Sequence, residues 1–194
     1  MTEIRLATAD DAKQTLEIYS PYIINTAISF ETDVPSEEEM KIRIMNCLQK
    51  YPWIVCVVDG MIAGYVYATK HREREAYQWS CESSVYVYDD FKGKGIGKKL
   101  YQLLFKILRL QEFRNVYAGI TLPNDASVNL HEKCGFKHFA TYENIGYKLR
   151  RWQTVGWWKL QINNYDLNPP PPIKISELNA QVLENSFLQA AETI

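Results

Sequence analysis

Between Val85 and Leu100 the chain reads VYVYDDFKGKGIGKKL, with Gly93, Gly95 and Gly97 interleaved with Lys92, Lys94 and Lys98. Glycines at alternate positions let a backbone turn several N–H groups toward one anion, and lysines add positive charge around it. The β-branched and aromatic run that ends at Tyr88 reads as a strand, and the segment after Gly97 reads as an amphipathic helix. Strand, glycine-rich turn and helix N-terminus make a phosphate-binding element, with the helix dipole reinforcing the attraction. The expected chemistry is the holding of a ligand that carries a pyrophosphate.

Two common phosphate fingerprints fail on this loop. A P-loop built on Gly97-Lys98 would have Lys92 in place of its leading glycine and Lys99 in place of its hydroxyl. A dinucleotide G-x-G-x-x-G started at Gly93 puts Lys98 at its third glycine, and started at Gly95 it puts Leu100 there. The spacing that fits is [QR]-x-x-G-x-[GA] after a strand, with Lys92-Gly93-Lys94-Gly95-Ile96-Gly97 in its place. This resembles the acetyl-CoA loop of the GNAT N-acetyltransferases, with Lys92 standing where Gln or Arg is usual.

The resemblance implies acetyl-CoA as co-substrate. Its pyrophosphate would rest on the backbone amides from Lys92 to Lys98, and its pantetheine arm would pair with Val85-Tyr86-Val87 as an added strand. Asn124 to Phe136, NDASVNLHEKCGF, looks like the family's second signature. On that resemblance Asn124 contacts the pantetheine and Lys133 belongs to the coenzyme site. His131 faces the sulfur as general acid, where many relatives have Tyr. The residues alone also allow Asn124 to be a helix cap and His131 an ordinary polar helix residue. Asn25 to Glu31, Arg72 to Tyr77, Glu82 to Val87 and Gly146 to Lys148 look like the phosphinothricin and methionine-sulfoximine acetyltransferases, over roughly residues 3 to 165.

An amino-acid amine is mostly protonated at neutral pH and must lose a proton before it attacks a thioester. A desolvated carboxylate can take that proton directly or through water, and Glu82, just before the coenzyme-pairing strand, is the candidate base. A backbone N–H of Val85 to Val87 would serve the oxyanion. Direct transfer needs no enzyme nucleophile, so Cys81, beside Glu82, has no covalent role. Arg72 and Arg74 suit a carboxylate and a second polar oxygen. Phe30 and Tyr77 suit an apolar end, with Glu75 and Ala76 completing the substrate segment; the alternative reading of Arg72 to Glu75 is a solvated loop of mixed charge. A different amine (polyamine, aminoglycoside or protein N-terminus) and a non-catalytic acetyl-CoA sensor remain as other functions.

The elements that must position these residues are those of an α/β chain with a mixed sheet. Strands are expected at Ile4 to Ala7, Trp53 to Val58, Met61 to Thr69, Ser83 to Tyr88 and Val116 to Thr121, with two more near Lys148 and Trp157. Asp59-Gly60 is a hairpin turn, and Ser36 to Glu39 has the types of a capping box. Thr8, Asp10 or Asp11 can cap the first helix, and Gly135 stops the helix Ala126 to Cys134. The resemblance implies the GNAT fold, a central mostly antiparallel sheet splayed at the coenzyme site and flanked by helices. Residues 1–166 form the acetyltransferase domain; 167–194 are a proline-rich linker, Pro169 to Pro172, and an amphipathic C-terminal helix.

At 194 residues and 46% hydrophobic the chain can bury one substantial core. A net charge of -1 argues against nucleic acid as partner and lacks the acidic groove that polycations need. The chain has no membrane-spanning run and no signal-peptide pattern. Cys47, Cys56, Cys81 and Cys134 form no C-x-x-C pair, so a cytoplasmic protein with reduced thiols is expected. His71, His131 and His138 have no metal-ligand spacing, and no metal is expected. The resemblance, together with Trp152, Trp157, Trp158 and the C-terminal helix, points to a homodimer.

Overall fold

The computed structural model describes residues 2–192. Among them, seven strands form one sheet in the order β1-β2-β3-β4-β5-β7-β6. These are β1 (Thr2–Leu6), β2 (Trp53–Val58), β3 (Met61–Lys70), β4 (Ser80–Val87), β5 (Asn115–Leu122), β6 (Lys137–Lys148) and β7 (Arg151–Gln161). All neighbours pair antiparallel except β4 and β5, which run parallel.

Alternation along β2 shows how the layers form. Ile54 and Cys56 pack toward α3 (Ile96–Leu110), while Trp53, Val55 and Val57 pack toward α1 (Ala12–Asn25) and α2 (Glu37–Cys47). A strand covered on both faces reads as an unbroken apolar run. Asp59 and Gly60 turn β2 into β3 with φ of 49° and 84°, the positive pair a tight hairpin demands. The Ser36 hydroxyl accepts the Glu39 N–H and the Glu39 carboxylate accepts the Ser36 N–H at 2.6 Å, so the capping box of α2 forms as read. At α1 the N-cap is Asp11, and its side chain accepts no N–H from the helix. A 3-10 turn, Ala9–Asp11, precedes the helix, and the Asp11 carboxylate is taken by Arg5 at 2.7 and 2.9 Å and by the Thr8 N–H.

β4 begins at Ser80, earlier than the Ser83 expected from its apolar residues. Ser80 to Glu82 pair with β5 through Ser80↔Asn115, Cys81↔Val116 and Glu82↔Tyr117, and Cys81 and Glu82 also pair with β3. Past Glu82 the two strands no longer pair: β4 stays on β3 and β5 stays on β7, which it pairs from Asn115 to Leu122. This fork is where a ligand can insert. Beyond it lie α4 (Asp125–Lys133), ended by Gly135 at φ 94°, and the long β6–β7 hairpin. The C-terminal stretch docks: the Trp79 indole N–H donates to the Pro170 carbonyl, Ile175 is buried, and α5 (Ala180–Ala191) packs Leu183 and Phe187 on the α3-side core. No helix among the described residues is long and apolar enough to cross a membrane.

Candidate active site

The fork opens into a cleft of about 570 Å³. One wall is the edge of β4, with Val85, Tyr86 and Val87. The floor is the turn Lys92, Gly93, Gly95 with Ile96, Gly97 and Lys98 at the start of α3, and the opposite wall is α4, with Asn124, Ser127, Leu130 and Lys133. Gly93 and Gly95 have φ of 77° and 84°, conformations that cost an L side chain about 1–2 kcal/mol. They turn the loop tightly into the α3 N-terminus, whose dipole and first N–H groups face this end. An added Cβ on Gly97 would stand 3.2 Å from Leu130, so glycine lets α3 and α4 close on each other. Lys94 is the expected loop residue that does not line the cleft; its Nζ lies 4.9 Å from the Phe91 ring centre. Asn124 fills two places at once: its side chain accepts the Ser127 N–H at 3.2 Å, capping α4, and it lines the cleft.

Glu82, Ser84 and Tyr86 alternate onto the α1/α2 face of β4. Tyr86 stands edge-on to Tyr19 and Tyr22. Glu82 Oε1 is 2.9 Å from His71 Nδ1 and 3.8 Å from the Arg72 guanidinium. The desolvation expected around this carboxylate is incomplete: its side chain is 30% exposed. The His71 ring stacks on Tyr117 at 4.3 Å and meets the edges of Tyr77 and Trp157, each at 6.4 Å. Sequence reasoning named Arg72 and Tyr77 but missed His71, Tyr117 and Trp157. The signal was the β3–β4 register: with Thr69 opposite Glu82, the residues just past β3 must fall beside that carboxylate.

Of the other substrate candidates, Arg74, Glu75 and Ala76 lie exposed around the 3-10 turn Glu75–Tyr77. Phe30 rests on β6, where a Cβ at Gly146 would come within 2.3 Å of its ring. Its neighbours are tied down. Tyr19 bonds Ser29 and Glu31, Arg43 grips Glu31 at 2.7 and 3.1 Å, and the buried Lys148 donates to the Ser29 carbonyl at 2.6 Å. Beside this network a second cavity of about 430 Å³ is walled by Trp53, Tyr65 and Tyr67 and rimmed by Arg43 and Lys70.

His131 departs from expectation. It is 5% exposed and lies under the cleft lining rather than on it. Its Nδ1 is 2.7 Å from the Ser127 carbonyl, which can only accept, so Nδ1 carries the proton. Nε2 then accepts the Tyr101 hydroxyl at 2.7 Å. Burial lowers the proton affinity of the ring, against an opposing pull from the Ser127 carbonyl. A neutral imidazole with both nitrogens engaged has no proton aimed at the cleft. The reason is the facing of α4, which turns this position toward α3.

The fork, the glycine loop and the α4 cap form one unit, and the profile of the acetyltransferase (GNAT) domain matches residues 4–157. The chain belongs to the GNAT acetyltransferase family. A phosphinothricin N-acetyltransferase of Streptomyces viridochromogenes is 38% identical over 169 residues, 87% of this GNAT chain and 91% of that protein. An L-methionine sulfoximine/L-methionine sulfone acetyltransferase of Salmonella typhimurium is 29% identical, covering 84% and 95% of the two chains. The crystal structure of a GNAT phosphinothricin acetyltransferase of Sinorhizobium meliloti in complex with AcCoA superposes with a TM-score of 0.83 at 30% identity, over 89% of this chain and 95% of that one. The splayed, mostly antiparallel sheet flanked by helices is the GNAT architecture anticipated from the glycine loop.

Proposed function

We propose that this protein transfers the acetyl group of acetyl-CoA to the primary amine of a small amino-acid-like substrate of the phosphinothricin, methionine sulfoximine or methionine sulfone type. The observation that carries the reading is the fork beyond Glu82, open to the cleft on one side and to the Glu82 carboxylate on the other. The names of the relatives support the substrate class. In this reading the pantetheine lies along Val85 to Val87 and contacts Asn124, whose cap of α4 holds it in place. The pyrophosphate meets the amides from Lys92 to Gly97 and the charges of Lys98 and Lys133; Lys94 contributes its backbone alone.

The amine enters from the α1/α2 face. Its ammonium loses a proton to the Glu82 site, the nitrogen attacks the thioester carbon, and a backbone N–H of β4 receives the oxyanion. Carbon–sulfur cleavage then releases coenzyme A. In this reading Arg72 and Arg74 hold the substrate carboxylate, Phe30 and Tyr77 hold its apolar end, and Glu75 and Ala76 belong to the substrate segment. His131 orients α4 against Tyr101 rather than giving its own proton to sulfur. The catalytic apparatus belongs to residues 1–166, with 167–194 bracing it. The protein works as a homodimer in the cytoplasm, a setting that its four free cysteines suit.

The test is thiol release from acetyl-CoA against a panel of phosphinothricin, methionine sulfoximine, methionine sulfone, ordinary amino acids, spermidine and an aminoglycoside. Turnover confined to the first three supports the reading. Turnover with polycations alone removes the substrate assignment. Tight acetyl-CoA binding without thiol release makes the protein a sensor.

A further inference from the structure

We propose that His71 is the catalytic base, taking the substrate's ammonium proton at Nε2 while the Glu82 carboxylate holds its Nδ1–H. The inference rests on the acetyltransferase reading above and adds a residue to it. Three observations carry it. Glu82 Oε1 lies 2.9 Å from Nδ1, so the carboxylate selects the tautomer with the proton on that nitrogen and leaves the lone pair on Nε2. The ring is fixed by its stack on Tyr117 and is largely enclosed, with 14% of its side chain exposed. Arg72 lies 3.8 Å from the same carboxylate oxygen, so Glu82 is held between two basic side chains and is placed to orient the ring.

The other titratable groups around the ring are Tyr117 from β5, Tyr77 from the turn, and Lys159 of β7 beside Tyr117; Trp157 adds an uncharged edge. Lys70 and Glu73 neutralise each other nearby. The step balances simply. The ammonium N–H bond breaks and an Nε2–H bond forms, giving a neutral amine and an imidazolium ion-paired with Glu82. After the amine attacks, its second proton leaves with the departing sulfur, and the imidazolium returns its proton to water.

The experiment compares wild type, His71→Gln and His71→Phe by thiol release across pH at saturating substrates, with acetyl-CoA affinity measured on each preparation. Gln keeps an N–H donor for Glu82, and Phe keeps the ring on Tyr117. Wild type should show an acidic limb in kcat, because an essential base must be unprotonated to accept the ammonium proton. Both variants should lose about a hundredfold or more in kcat and lose that limb, with acetyl-CoA affinity unchanged. If Gln retains the rate, His71 only orients Glu82; if Phe retains it, His71 only packs. A uniform loss with the limb still present is equally fatal. A wild type that acetylates no amine in the panel sinks the acetyltransferase reading itself, and the base with it.

Discussion

At the scale of single residues, the contrast between His71 and His131 shows how hydrogen-bond partners assign work. His131 gives its Nδ1–H to a carbonyl and accepts the Tyr101 proton at Nε2, so it sits in the fold as a neutral ring. Burial lowers its proton affinity, which has a signed consequence for stability. Below the ordinary imidazole value, about 6.5, the unfolded chain binds a proton that the folded chain refuses, so stability falls as pH falls through that window. Above it the ring is neutral in both states and contributes no pH dependence. Melting temperatures from pH 8 to pH 5 should therefore fall further for wild type than for His131→Gln, with the gap between them flat at the alkaline end. A gap that stays constant throughout would mean that the ring binds its proton equally well in the folded and unfolded chains. The sequence made Glu82 and His131 visible as chemistry-bearing types, but not their partners. Tyr101 and His71 reach them only through packing across α3 and pairing across β3, and neither contact has a local spacing to betray it.

At the scale of elements, the loop between β4 and α3 was readable because its cause is local. Gly93 and Gly95 occupy left-handed conformations with nothing within 4 Å of an added Cβ, so the cost of a side chain there is backbone strain alone. Gly95→Ala should either bend the loop or strain it by about 1–2 kcal/mol, weakening acetyl-CoA roughly tenfold. Gly60, with the same φ of 84° and the same open space, provides the control. Its alanine variant should lose stability without losing coenzyme affinity, and isothermal titration of both distinguishes a loop that binds from a turn that merely folds. An unchanged affinity for Gly95→Ala would separate the loop from the coenzyme. The Asp59-Gly60 turn and the Ser36–Glu39 capping box were legible for the same reason, since every group involved lies within a few residues. The early start of β4 and the length of β6 were not. Ser80 to Glu82 and much of β6 are polar, and partners distant in sequence, not propensity, make them strands.

At the scale of the whole molecule, the sheet has two unlike edges. β1 is packed by α5, which answers where the apolar C-terminal helix must dock. β6 at the other edge has no strand beyond it among the described residues, and its hairpin with β7 exposes Ile145, Tyr147 and Trp152 at 55, 61 and 62%. Long edge strands that carry exposed apolar side chains rarely stay uncovered, because their unpaired backbone and side chains template association. The strand order was not legible in the sequence, so the tryptophans could be noticed but not assigned: Trp158 is buried, Trp157 belongs to the His71 site, and only Trp152 stands at the open end. The Tyr147–Trp152 pair, 5.5 Å between ring centres, is therefore the natural centre of the proposed homodimer contact. Trp152→Glu would bring a carboxylate into each copy of that contact, facing its symmetry mate across a two-fold interface. Sedimentation equilibrium should find a dimer for wild type and a monomer for Trp152→Glu. Leu188→Glu, equally exposed at 59% but on α5, should remain dimeric. A monomeric wild type, or a dimer indifferent to Trp152, would move the partner off this edge. Because the hairpin also carries Gly146, the seat of Phe30, a true dimer contact predicts that the Trp152→Glu monomer binds acetyl-CoA normally and binds the amine less tightly.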